Sequence, residues 1–309
     1  MAPRSSTYWA VEIFHSNYPC VLYLFSAVVC SVLLGFLFKW FERFGVHTFQ
    51  AIVVNYFTCV ACGWLHAGVL PFGAAERSAP WMPYALLLGL VFVSGFNAAA
   101  QTVRYFGVTV SQVMQKMSIL LSVPFAIWVY HESSEATKWL GFALALAAIV
   151  LVNWRPKRQE VPSTLGMGLL WVPLLTWVLA GVIEMVLITV QYERLTDTSN
   201  PIFLTTVFGT AGLLGAMVAI VGLALGRLRF SWRNVVGGVV LGVPNYASMW
   251  FLLRALDSGL ESSVVFPLMN IGIILTTTIG AVWLFSERLS IPQRWGIALA
   301  IVAIAIIST

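Results

Sequence analysis

Two stretches decide how this chain folds: HESSEATKWLGFALALAAIVLV at residues 131–152 and SERLSIPQRWGIALAIVAIAII at residues 286–307. In each, a glutamate is followed by eight residues and then by a glycine that opens an apolar run. A shift of 155 positions lays Glu287 on Glu132 and Gly296 on Gly141, and it carries Met269 onto Met114. Further back, Glu193-Arg194 falls on Glu42-Arg43 at a shift of 151, so one short insertion separates the two sets of anchors. A unit duplicated within apolar sequence points to a membrane transporter whose site lies between the copies. A soluble repeat protein would need polar helix faces that this sequence lacks.

Composition supports the membrane reading. Soluble domains carry about 25% charged residues; this chain of 309 residues carries 9%, with 60% hydrophobic residues and a mean hydropathy of +0.89. That balance excludes a water-soluble globule and makes the lipid bilayer a partner. Thirteen tryptophans suit the two membrane interfaces. The net charge of +5 is modest. The basic residues fall in short gaps between apolar runs, so they read as topology signals, and no nucleic-acid partner is expected. Cys59 and Cys62 form a C-x-x-C, but they lie inside an apolar run with no second pair. They read as buried thiols, and neither a metal nor a cofactor is expected. The first ~18 residues show no basic-then-apolar leader pattern, and 7–18 read as an interfacial segment.

A membrane helix needs about 20 apolar residues. Ten such runs are expected: 20–41, 48–66, 81–105, 108–130 and 136–154 in the first half, and 166–192, 202–225, 234–256, 262–285 and 291–308 in the second. The resulting organisation is an interfacial segment (1–19), a first five-helix unit (20–154), a linker (155–165, beginning RPKRQEVPST) and a second five-helix unit (166–309). Five is odd, so the second copy enters the membrane in the opposite sense. The fold class is thus an all-α integral membrane protein with two inverted five-helix repeats around a central cavity. Gly209, Gly212 and Gly215, and again Gly237, Gly238 and Gly242, form small-residue stripes that let helix backbones approach. Pro124, Pro173, Pro244 and Pro267 predict kinks that free carbonyls.

The charged residues within the runs are the candidate substrate-binding residues. Lys116 lies about 10 Å inside the start of run four, and a lysine at the centre of a span costs about 2.5–3.5 kcal/mol on insertion scales. It needs a partner or a wet cavity. Gln112, Gln115, Lys116 and Ser122 share one helical face. Glu184 is the carboxylate deepest in an apolar run, and its repeat counterpart is Leu33, so the halves differ chemically there. It reads either as a proton carrier or as a partner for Lys116 or a hydroxyl. Asn97 and Gln101 share a face of run three with Arg104, Asn245 and Ser248 share a face of run eight, and Asn55 and Asn270 add further amides. These are open to two readings, interhelical hydrogen-bonded glue or cavity lining. Trp250 is a candidate aromatic wall. Glu132 and Glu287 lie at helix ends and read as conformational contacts rather than ligands.

With its ten runs, five-plus-five repeat and Glu-then-Gly signature at Glu132…Gly141 and Glu287…Gly296, the chain resembles the drug/metabolite transporter superfamily, most closely its EamA-type branch. The resemblance covers nearly the whole chain after the first ~18 residues. It implies a basket-like bundle with a central cavity, movement of small metabolites, amino acids among them, and both termini in the cytoplasm. The excess of Lys and Arg on the other set of loops implies termini outside instead.

The resulting expectation is a secondary transporter or facilitator of small organic metabolites, multi-pass in a bacterial inner membrane, working by alternating access. One basic and one acidic group suit a zwitterion, and Glu184 makes a proton the candidate coupling ion. One rival is an exchanger of phosphorylated or nucleotide-linked sugars using Lys116 with Arg104 or Arg254. The other is a membrane-embedded enzyme, but there is no H-E-x-x-H or G-x-S-x-G, and all four histidines lie near helix ends. No catalytic residue is therefore expected.

Overall fold

The computed structural model describes residues 6–68, 74–106, 108–153, 169–196, 200–285 and 290–307. The linker at 155–165, the side chains of residues 1–19, Glu287 and the Arg104 side chain lie outside the described residues. The chain forms α1 (Ser6–Phe44), α2 (Thr48–Ala67), α3 (Ala74–Arg77), α4 (Met82–Phe106), α5 (Val108–Lys116), α6 (Ile119–Tyr130), α7 (Ala136–Val152), α8 (Trp171–Tyr192), α9 (Pro201–Ala224), α10 (Trp232–Asp257), α11 (Ser262–Phe285) and α12 (Ile291–Ile307). Among the described residues there is no strand. Among the described residues, eight helical spans are long and apolar enough to cross a membrane, while α7 and α12, at 17 residues each, are shorter apolar helices.

Local chemistry sets several boundaries. Gly68 ends α2 in the left-handed region at φ 68°, its N–H donating to the Trp64 carbonyl at 2.9 Å. Asn200 opens α9 by accepting from the Ile202 N–H at 2.9 Å, with Pro201 in the first turn where no N–H is required. One expectation needs correction. Residues 108–130 do not form one unbroken helix; the run breaks at Met117–Ser118 into α5 and α6. Beyond the break the Leu121 N–H tightens onto the Ser118 carbonyl at 2.8 Å, and the Trp177 indole donates to the Met117 carbonyl at 2.9 Å. Pro124, which donates no N–H, lies one to two turns further on.

The glycine stripes pack helices, as their spacing suggests. α2 is clamped between α9 and α10. Gly209, Gly212 and Gly215 face Val60, Tyr56 and Val53, and a Cβ at Gly242 would come within 2.4 Å of the Thr58 Cβ and 2.9 Å of the Asn55 carbonyl oxygen. Gly141 and Gly296, the signature glycines, serve one contact between them. A Cβ at Gly141 would meet Ile307 at 2.5 Å, and one at Gly296 would meet Val152 at 2.7 Å. The start of α7 thus lies against the end of α12 and the start of α12 against the end of α7, so the two helices run antiparallel. The fully buried side chains Leu88, Phe203, Leu204, Phe208, Leu241 and Leu253 belong to the core on the α2, α9 and α10 side, while Ala145, Ala148, Ala300 and Ala303 fill the α7–α12 crossing.

Candidate functional site

The break between α5 and α6 sits beside α8 and α11, and a polar layer forms there. Lys116, the last residue of α5, is half-buried, and its Nζ donates to Asn270 Oδ1 of α11 at 3.0 Å. Glu184, in the middle of α8, accepts from Ser118 Oγ at 2.8 Å and from Ser122 Oγ at 2.6 Å. Ser118 lies in the break with its backbone still in the helical region, at φ −52° and ψ −30°, and its hydroxyl reaches across to α8. Lys116 and Glu184 are near enough for their charges to interact, yet their hydrogen bonds go to other groups. The Asn270 amide nitrogen lies toward Glu184, and among the described residues it makes no hydrogen bond of ordinary geometry. Among the described residues the layer therefore has spare donors: the two N–H bonds of the ammonium that Asn270 does not take up.

A cavity of about 290 Å³ adjoins this layer. Its walls are Phe38 of α1, Tyr56 of α2, and Phe92 and Phe96 of α4; its polar lining is Asn55, Gln115, Thr176 and Asn245. Gln115 and Ile183, the chain neighbours of Lys116 and Glu184, both line it. The lining comes from the later turns of α1 and α4 and the earlier turns of α2, α8 and α10, so the cavity belongs to the face of the α1–α2 and α9–α10 turns. Asn245 Nδ2 donates to Asn55 Oδ1 at 3.1 Å, Thr102 and Thr176 share a hydroxyl contact at 2.8 Å, and Gln115 Nε2 donates to Ser111 at 3.3 Å.

Of the candidates read from the sequence, Gln115 and Asn245 lie on the cavity wall, and Lys116, Glu184 and Asn270 lie in the adjoining layer. Four others are placed elsewhere. Asn97 turns back to donate to the Val93 carbonyl of its own helix at 2.9 Å, and Gln101 and Gln112 are exposed. Trp250 sits among Tyr23, His66 and Phe251 with the Arg254 guanidinium 5.3 Å above its ring. Cys59 is a buried thiol donating to the Gly242 carbonyl at 3.3 Å, a packing contact in the α2–α10 seam. Tyr56, Thr176 and Ser118 were not singled out; each reads in sequence as an ordinary helix residue, and only the crossing of helices makes it part of the site.

A second polar cluster closes the opposite face. Glu132, buried at 6% exposure, accepts from the backbone N–H groups of both Ser262 and Ser263 at 2.8 Å and from the Tyr192 hydroxyl at 2.5 Å. Lys138 pairs with Glu261 and donates to Ser133 Oγ at 2.7 Å and Ser263 Oγ at 2.9 Å. Burial works to raise the Glu261 carboxyl, but hydrogen bonds from Lys138 and Ser133 outweigh it and hold the group below its ordinary value. Tyr130 stacks on Tyr192 with centroids 4.6 Å apart, and His66 Nδ1 lies 3.0 Å from the Tyr246 hydroxyl.

Residues 18–154 match the EamA-like transporter family. A protein of Haemophilus influenzae, described as uncharacterized, is 29% identical over 288 residues, spanning 91% of this chain and 95% of its own. A crystal structure of a protein matches with a TM-score of 0.70 at 15% identity, covering 93% of this chain and 95% of that one; at this identity the likeness is one of fold. With the eight apolar spans, the family match makes this a multi-pass integral membrane protein.

Proposed function

We propose, with residues 18–154 as an EamA-like transporter unit, that the protein is a secondary transporter or facilitator moving small organic zwitterions by alternating access between two inverted five-helix repeats. The observation that carries this reading is the Lys116–Glu184 layer beside the cavity. It offers opposite charges from different helices, neither of them satisfied by the other. The spare N–H donors of Lys116 suit a carboxylate. The Glu184 carboxylate suits an ammonium or, in an empty cycle, a proton. Buried charges persist in a membrane when a cavity or a ligand uses them.

Helix pairing supports the inverted repeat and the division into 20–154 and 166–309. α1 packs on α10, and the exchanged pair α8 on α4 also packs; α2 on α10 is matched by α9 on α4, and α1 on α11 by α8 on α6. Every major contact has its counterpart when the halves are swapped. The antiparallel crossing of α7 and α12 supports an axis lying in the membrane plane, because an axis along the normal would leave equivalent helices parallel. The anion-exchange rival draws less support: Arg254 is committed to Trp250, and a dianion at Lys116 would meet the Glu184 carboxylate.

The test is counterflow in proteoliposomes with labelled amino acids, amines and monocarboxylates. The reading requires a substrate bearing both charges, and its rate should vanish in Lys116→Ala. Faster exchange of phosphorylated sugars than of any zwitterion would replace it with the rival.

A further inference from the structure

We propose that Glu132 is a positioning residue: its hold on the N-terminus of α11 keeps Asn270 against Lys116, so the closed face and the charged layer open and close together. The inference rests on the alternating-access reading given above. Two helices join the two layers. α11 offers Ser262 and Ser263 to Glu132 and, eight residues on from Ser262, Asn270 to Lys116. α8 offers Tyr192 to Glu132 and, eight residues back, Glu184 to Ser118 and Ser122. At 1.5 Å per residue the layers lie about 12 Å apart on both helices. At the Glu132 layer the two helices are also tied to each other, because Gln191 Oε1 of α8 accepts from Ser262 Oγ at 3.0 Å.

The chemistry of the Glu132 contact fits a releasable latch. A carboxylate on two free N–H groups at a helix start is favoured by hydrogen bonding and by the helix dipole. Both N–H groups come from the second half of the chain, and the carboxylate from the α6–α7 turn of the first. Pro267 lies between the two attachment points of α11. It donates no N–H to the Ser263 carbonyl, so the first turn of α11 can tilt on the rest without breaking a hydrogen bond there. A ligand carboxylate that draws Lys116 off Asn270 removes a hydrogen bond that the first half makes to this helix below Pro267, leaving those of Glu132 and Lys138 at its first turn. The layers are thereby coupled, and the coupling acts equally in both directions.

Hydrogen–deuterium exchange in lipid nanodiscs tests this on wild-type protein, Glu132→Gln, Lys116→Met and Lys138→Met. Glu132→Gln should speed exchange of the Ser262 and Ser263 amides by about tenfold, the usual worth of a helix cap. The decisive variant is Lys116→Met: it touches nothing in the latch, and it should also speed exchange at those two amides. Lys138→Met should leave them within about twofold, because Glu132 keeps both donors. Unchanged exchange at Ser262–Ser263 in Lys116→Met would overturn the coupling, as would a Glu132→Gln variant that exchanges faster everywhere alike, the mark of a merely structural cap. Counterflow on the same samples separates the two claims. If amide coupling holds while Lys116→Met transports normally, the functional reading fails and the positioning role stands.

Discussion

Two lysine–glutamate layers cross this molecule, and they are built in opposite ways. At the α6–α7 turn, Lys138 is saturated: it pairs with Glu261 and donates to Ser133 and Ser263, while Glu261 takes two further bonds from Ser133. At the α5–α6 break, among the described residues, Lys116 has one acceptor and Glu184 has two hydroxyl donors, with the Asn270 amide lying toward it. A saturated pair at the membrane surface holds two turns together. An unsaturated pair beside a cavity leaves bonds for something that comes and goes. The contrast distinguishes a structural charge from a working one better than burial does, since both layers are partly covered.

The largest effect should come from breaking the unsaturated layer. Lys116→Ala should reduce transport at least 100-fold, judged by counterflow, while the protein still elutes as a folded, detergent-solubilised species; Lys116→Arg should restore only part, because a planar fork replaces a compact ammonium. Next, Ser118→Ala with Ser122→Ala strips Glu184 of both donors. A lost bond to a charged group is worth about 1.5–3 kcal/mol, and the double variant should show a clearly lowered melting temperature together with impaired transport. Lys138→Met, on the saturated side, removes a buried lysine and its bonds to Glu261, Ser133 and Ser263, so it should cost about 1.5–3 kcal/mol in thermal unfolding, yet it should leave transport within about threefold. Equal losses in Lys138→Met and Lys116→Ala would erase the distinction.

The smallest effect is one of pH. The Glu261 carboxyl lies below its ordinary value of 4.5 in the folded protein. A depressed carboxylate stabilises the fold at pH values above the unfolded value, and that contribution is lost as pH falls through the folded value. Melting temperature should therefore be flat in this respect from pH 7 to 5 and fall below about 4.5. In Lys138→Met, which removes a cause of the depression, that acid-side fall should be shallower. An identical fall in the variant would show that the pair is not its source.

The parts of the fold visible in sequence are those with a period. Apolar runs marked the helices, and the Glu-then-Gly signature marked the pair α7 and α12, whose glycines turn out to serve one crossing. Lys116 and Glu184 were legible because a charge in an apolar run is rare. The break at Met117–Ser118 was not, because no proline or glycine sits in it; contacts from Glu184 and Trp177, far along the chain, accompany it. Asn97 and Asn245 look alike in sequence, yet one returns to its own helix and the other reaches Asn55. Rotamer and neighbour decide that, and neither has a sequence pattern.

The most direct test is uptake into proteoliposomes, with and without a pH gradient, by wild-type protein and Glu184→Gln. Glutamine preserves size and hydrogen bonding but carries no proton. If the unsaturated layer works as proposed, the variant loses uphill accumulation driven by the gradient and keeps exchange between equal pools. Full gradient-driven accumulation in Glu184→Gln would contradict it and remove Glu184 from the transport cycle.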